Sequence, residues 1–434
     1  MSVPYPEVIA GPELSTRFPD TALVSGYLDA GSPAGDLIYL GFGETWTQAA
    51  PGLMAALAEL PRHSHGYVIS QYGLPRLQRT LRSYIPMTHR LPEDVQAGRD
   101  YEVAAIGGGT RNAMFDFARL LRADPGYGPA VGRIPVAVAP MPGWDYAGVL
   151  EPLGYRMRYL RLRADGGPEP GDLAELLGDV AADPAEQAAL IVINAQHNPT
   201  GANWPADTVR DMVRQALSAG AAILLDDAYY GVHDPRLTPT SALRVLLEEM
   251  ATAPPEARRR WLAVRSLGKQ FHCNGWGIGA MTAHPQTLDA LVNTLQFQRS
   301  FASAIPLQEA MATWLTDEES QHYLDDLGRE YSRKRAVVRD VLTSEHGYPQ
   351  DAFQLGEFAP YARMQVPPAW QGKPDAVREF REECLRRTGV LVGVDRWSTG
   401  ADEETAWFRL FLGPPLPVIA EALTRLAKAG YRWT

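Results

Sequence analysis

Residues 260–279 read RWLAVRSLGKQFHCNGWGIG. An apolar, strand-forming run ends near Ser266, a lysine follows three positions on, and a glycine-rich loop with one tryptophan closes the stretch. Continuous Val, Leu and Ala of this kind suit a strand buried on both faces, as in a parallel sheet covered by helices. Lys269 then stands just past the end of such a strand. There desolvation lowers the pKa of the amine and frees it as a nucleophile toward a carbonyl. Taken alone the signal is weak, because most lysines only solubilise a surface.

The same form recurs upstream. AALIVINAQHNPTG (188–201) and AAILLDDAYYG (221–231) are apolar runs that end in polar loops, and IPVAVAPMPGW (134–144) is a strand ending in a turn. YEVAAIGGG (101–109) reads as strand then turn, and NAMFDFARLLRA (112–123) as the amphipathic helix that follows. Alternation of this kind predicts an α/β fold, with functional groups gathered at the carboxyl ends of the strands. Asp226 falls at one such end, where a buried carboxylate calls for a cationic partner. Read by itself it is equally a helix cap, and Asn198 equally an Asn-Pro turn.

After about residue 305 the texture changes. Residues 305–342 read as one long helix or two in succession. FAPYARMQV, VLVGV and AWFRLFLG then read as strands, and DAVREFREECLRRT and PVIAEALTRLAKAG as helices. That mixture predicts a smaller α+β domain formed by residues 1–49 and 306–434, with DLIYLGFGE and PGLMAALAEL packing on it. The large domain spans 50–305.

The bulk numbers bound the function. With 45% hydrophobic and 21% charged residues over 434 positions, the chain is an ordinary globular protein. Its formal net charge of −10 repels a phosphate backbone, so nucleic acid is not an expected partner. The two cysteines cannot form a disulfide framework, and no Cys/His spacing reads as a metal site. No stretch approaches a membrane span, and the proline-bearing N-terminal segment does not read as a signal peptide. A cytoplasmic protein is the expectation.

The order HNPTG, DDAYYG, SLGKQFHCNGWGIG closely resembles the class I/II aminotransferases, the fold-type I enzymes that use pyridoxal 5′-phosphate. The resemblance extends from DLIYLGFGE to WFRLFLG. It implies a mainly parallel sheet flanked by helices in the large domain, and a homodimer. By position it implies that Lys269 forms the Schiff base with the cofactor and then shuttles the α-proton. Asp226 would pair with the protonated pyridine nitrogen, Tyr229 and Asn198 would bond the phenolic oxygen, and Trp144 would stack on the ring. Gly109, Thr110 and Arg111, with Ser266, would hold the phosphate, since a turn opening a helix is an anion site. Arg409 would take the substrate α-carboxylate in a bidentate pair. Tyr67, preferred over Tyr72, matches the tyrosine that reaches the partner subunit's phosphate. Arg299, Ser300 and Ser303 lie in a stretch that would also cross the interface.

One position departs from the family. Eight residues after the lysine many members carry an arginine that neutralises the phosphate, a contact contributing about 1.5–3 kcal/mol. Here Gly277 stands there. Arg111 is the expected replacement, ahead of His272 and Arg299. The leading expectation is an amino acid aminotransferase working through an external aldimine and quinonoid. The alternative, raised by Gly277, is a specialised-metabolism member that diverts the same carbanion to γ-elimination, replacement or ring closure, for instance on S-adenosylmethionine.

Overall fold

The computed structural model describes residues 19–41, 48–124, 126–130, 132–373, 375–394 and 406–433. The N-terminal segment read as carrying no leader lies outside the described residues up to position 18. Described strands run in chain order as β1 (Ile38–Leu40), β2 (Glu102–Ile106), β3 (Ile134–Met141), β4 (Arg156–Arg161), β5 (Glu186–Ile193), β6 (Ala222–Asp226), β7 (Trp261–Ser266), β8 (Gly279–Ala283), β9 (Phe353–Gln354), β10 (Tyr361–Gln365), β11 (Val390–Val394) and β12 (Trp407–Phe411).

The chain divides into two compact units. One comprises residues 48–329 with 357–359; the other takes the described parts of 1–47, 330–356 and 360–434. In the first, seven strands order as β2-β8-β7-β6-β5-β3-β4. From β7 to β4 every pairing is parallel, whereas β8 runs antiparallel to both its neighbours. The strands β3, β5, β6 and β7 are buried over most of their length, in keeping with the apolar runs 188–193, 222–225 and 261–264. Helices cover the sheet with apolar stripes at i, i+3 and i+4 spacing. Ala113, Met114, Phe117, Leu120 and Leu121 face inward from helix Thr110–Ala123, and Val209, Met212, Val213 and Ala216 from helix Ala206–Ser218. The expected α/β architecture with a mainly parallel sheet is therefore what the chain adopts.

Three local expectations change. PGLMAALAEL forms helix Pro51–Ala58, which packs in the larger unit on helix Ile305–Leu315 rather than on the smaller one. A Cβ on Gly52 would lie 2.1 Å from the Trp314 ring, so the indole seats directly against the main chain of the first helix. Residues 305–342 resolve into two helices, Ile305–Leu315 and Glu319–Ser344, and the first belongs with the larger unit. The strands β4 and β8 carry arginines, or glycine and threonine, in place of a β-branched run, and the sequence pattern did not mark them.

The smaller unit holds the order β1-β11-β12-β10-β9, parallel only between β1 and β11. An ion pair is enclosed within it. The Arg381 guanidinium donates to Asp20 at 2.5 Å and to the Val392 carbonyl at 2.7 Å, and the Tyr39 hydroxyl donates to the other Asp20 oxygen at 2.7 Å. Removing one member of a buried pair leaves the other charge uncompensated. Arg381→Met should therefore lower the unfolding free energy by about 3–5 kcal/mol, read as a fall in the urea midpoint; a loss under about 1 kcal/mol would mean the pair is solvated.

Candidate active site

β5, β6 and β7 are adjacent and parallel, so their carboxyl ends share one edge. Asp226 ends β6 with 4% of its surface exposed. Its carboxylate accepts from the Tyr146 hydroxyl at 2.8 Å and from the Ala228 N–H at 3.2 Å. Burial raises its pKa, partly offset by the Lys269 charge and by these two donors. Lys269 lies in the short helix Leu267–Gln270, which Ser266 caps: the Ser266 hydroxyl accepts from the Lys269 N–H at 3.4 Å. The Lys269 amine stands 4.1 Å from the centre of the Tyr229 ring. Beyond β5, the Asn194 amide donates to the Asp226 carbonyl at 2.6 Å, and its oxygen accepts from the Asn198 N–H at 2.9 Å. Asp226, Tyr229, Ser266, Lys269 and Asn198 thus form one connected group.

The turn 107–111 joins this group through the loop after Lys269. Gly109 has φ of +86° and opens helix Thr110–Ala123. Its N–H is taken by the Gly277 carbonyl at 2.7 Å and the Asn112 N–H by the Gly109 carbonyl at 3.2 Å, which leaves the amides of Thr110 and Arg111 to meet an anion. A Cβ on Gly277 would lie 3.0 Å from the Gly109 nitrogen and 3.1 Å from the Gly108 Cα, at φ of +63°. Backbone packing therefore disfavours an arginine, or any side chain, at 277. Arg111, the expected replacement, is engaged within its own chain. Its guanidinium pairs with Asp145 at 3.0 Å and lies 4.3 Å from the centre of the Trp144 ring. The other two candidate cations are engaged as well: His272 with the Tyr323 hydroxyl at 3.0 Å, and Arg299 in an ion pair with Asp116.

Tyr67 is 83% exposed, with its ring centre 5.3 Å from that of Phe301. Tyr72 is half-buried, and its hydroxyl faces Asp289; burial pushes it up to about 12. Ser300 bonds the neighbouring Phe301 carbonyl, and Ser303 approaches Gly107. Arg409 belongs to the smaller unit, buried on β12 with its guanidinium 4.5 Å from the centre of the Tyr361 ring. Directly across the ladder is Arg363, whose guanidinium lies 4.2 Å from the centre of the Trp407 ring. Two like charges side by side are unfavourable, and each guanidinium lies over a separate aromatic ring of the other strand.

The family model for aminotransferase class I and II matches residues 66–426. The chain belongs to the class I and II aminotransferases. Methionine aminotransferase of Escherichia coli is 27% identical over 158 residues, 36% of this chain and 38% of that enzyme, so the chain spans well under half of that relative's length. LL-diaminopimelate aminotransferase of Dehalococcoides mccartyi is 23% identical over 297 residues, 67% of this chain and 68% of the other. Among solved structures, a double mutant of Thermus thermophilus aspartate aminotransferase shares the fold with a TM-score of 0.75, at 21% identity over 95% of this chain and 97% of that one.

Members of this family use pyridoxal 5′-phosphate, and the residues present fit it. The two described donors to Asp226 are a neutral phenol and a backbone amide; a protonated pyridine nitrogen would supply the cation that burial demands. The opening of helix Thr110–Ala123 suits a phosphate dianion, and Lys269 supplies a primary amine.

Sequence reasoning missed Tyr146, Asn194 and Asp227. Tyr146 and Asn194 act on Asp226 through hydrogen bonds that only the folded chain reveals. Asp227 is 1% exposed, with no hydrogen-bond donor to either oxygen and the His89 ring nitrogen 3.8 Å away. Burial raises its pKa from 3.8 to about 7, against the pull of Arg265. The folded chain then holds a proton that the unfolded chain has lost, so stability falls as pH rises from 3.8 to about 7. Asp227→Asn should make that decline shallower, read as urea midpoints that fall less between about pH 4 and pH 7 than those of the parent; an unchanged slope would assign the linkage elsewhere.

Proposed function

We propose that the chain is a pyridoxal-phosphate-dependent aminotransferase acting on an α-amino acid. The observation that carries this reading is the amine of Lys269 set against Tyr229 and beside the buried Asp226, at the carboxyl edge of a parallel sheet. When bound, the cofactor supplies an electron sink for the carbanion at the substrate α-carbon. Lys269 would hold the aldehyde, and its amine would take the α-proton and return it one position along. Asp226, fixed by Tyr146 and Asn194, would keep a proton on the ring nitrogen. Tyr229 and Asn198 would bond the phenolic oxygen. Trp144 would cover one ring face and form part of the substrate pocket. Thr110, Arg111 and Ser266, on the turn opened by Gly109, would hold the phosphate, and Arg409 the α-carboxylate.

A second reading is favoured by Gly277: the same residues would serve elimination, replacement or ring closure on a substrate such as S-adenosylmethionine, in specialised metabolism. The buried free thiols of Cys273 and Cys384 fit a reducing compartment such as the cytoplasm.

The active unit we propose is a homodimer. Tyr67, Phe297 and Phe301 form one exposed aromatic cluster, with ring centres 5.3 and 5.4 Å apart in the two contacts, and Ile69 is wholly exposed nearby in the chain. Exposed apolar clusters of this kind mark interaction surfaces. Phe301→Asp should shift the sedimenting species from dimer to monomer; a monomeric parent would dispose of the idea.

The covalent claim is tested directly. Borohydride treatment of the yellow protein should add a pyridoxyl mass to the peptide bearing Lys269, and Lys269→Ala should lose both this mass and at least about 10⁴-fold in rate. Conversion by single amino acids to the near-ultraviolet pyridoxamine form supports transamination. Release of methylthioadenosine from S-adenosylmethionine supports the second reading. Absence of the pyridoxyl mass at Lys269 would overturn both.

A further inference from the structure

The carboxyl edge of β6 and β7 has a second side. Neighbouring residues in a strand face opposite ways, which separates Arg265 from Ser266 on β7; in the turn after β6 and the helix Leu267–Gln270 as well, the positions next to the candidate catalytic group line a different space. Tyr230, Arg265 and Gln270, chain neighbours of Tyr229, Ser266 and Lys269, line a cleft of about 700 Å³ that none of those three lines. Its other walls come from the end of helix Pro75–His89, the segment 233–245, and the starts of helices Ala206–Ser218 and Glu319–Ser344. That volume is in the range of small-molecule sites, about 300–1,000 Å³.

The lining is cationic on a chain of net charge −10. Arg90, Arg210, Arg244 and Arg265 face only Glu248 and Asp325 among the lining carboxylates. Arg210 and Arg244 are held by Glu248 and, for Arg210, Glu249. Arg90 makes no ion pair among the described residues and is exposed at the mouth. Arg265 is 2% exposed, 4.3 Å from the centre of the Tyr230 ring, and donates to the Thr88 hydroxyl at 2.7 Å; no described carboxylate lies within ion-pair distance of it. His89, beside it, bonds Ser241 and is kept neutral by burial and by Arg265. Between the charges stand Met87, Leu237 and Leu324, which suit a short hydrocarbon backbone.

We propose that this cleft is an effector site for a small organic polyanion of the di- or tricarboxylate class, back to back with the candidate cofactor site. Its occupant would reach Ser266 and Lys269 through the single peptide links from Arg265 and Gln270, so that a change at one face moves side chains at the other.

The test uses the holoenzyme, titrated calorimetrically with citrate and, separately, with inorganic phosphate at constant ionic strength, while the visible band of the cofactor and the turnover rate are followed. Expected are saturable citrate binding at one site per chain, a shift in the band or the rate, and at least tenfold weaker binding, about 1.4 kcal/mol, in the Arg90→Ala/Arg244→Ala double variant, whose rate without citrate is unchanged. Both replaced side chains are solvent-facing, and Arg90→Glu alone should weaken citrate further without altering the fold seen by circular dichroism. The proposal is overturned by the absence of saturable heat, by binding that survives the double variant, by binding with no change in band or rate, or by binding of phosphate alone. Calorimetric heat comes from the chain itself, so its outcome is separate from that of the borohydride experiment.

Discussion

The larger unit depends on one constraint: strands covered on both faces can carry polar side chains only where they end. Apolar runs fill 188–193 of β5, 222–225 of β6 and 261–264 of β7, and the polar residues Asn194, Asp226 and Ser266 follow at the carboxyl edge. A carboxylate there is still dehydrated, and it persists because Tyr146 and Ala228 each give it a hydrogen bond. Asn194 fixes the same segment by its backbone, which ties the loop after β5 to the end of β6. The candidate site and the fold are therefore held by the same few bonds.

Burial sets charge at this edge with a definite sign. Asp226 and Asp227 are neighbours, both raised by desolvation, yet they meet opposite environments. Asp226 faces an amine and two donors, whereas Asp227 faces a neutral histidine and an arginine that makes no hydrogen bond to it. The first is suited to receive a cation, and the second to remain protonated near neutrality. Two adjacent carboxylates, alike in chemistry and both raised by burial, are thus held by different partners.

The parallel strands and the covering helices were legible in the sequence, because periodicity reports burial directly. Lys269, Asp226, Tyr229 and Asn198 were legible because motif order fixes which loops end which strands. Tyr146 and Asn194 were not, since a hydrogen bond between positions 80 or 32 residues apart leaves no local signature. The pairing of Arg111 with Asp145 and Trp144 was equally silent in the sequence. The strands β4 and β8 escaped for compositional reasons. An edge strand needs no continuous apolar run, and Gly279–Ala283 is short and contains threonine and glycine.

The contact between Gly277 and the turn at Gly108–Gly109 is neutral main chain against neutral main chain. Counterions screen attraction between exposed charges, but they scarcely touch a buried amide–carbonyl bond. The shape of this cradle should accordingly be as well kept in concentrated salt as in dilute buffer, whereas a cradle steadied by a guanidinium would loosen as the ionic atmosphere thickened.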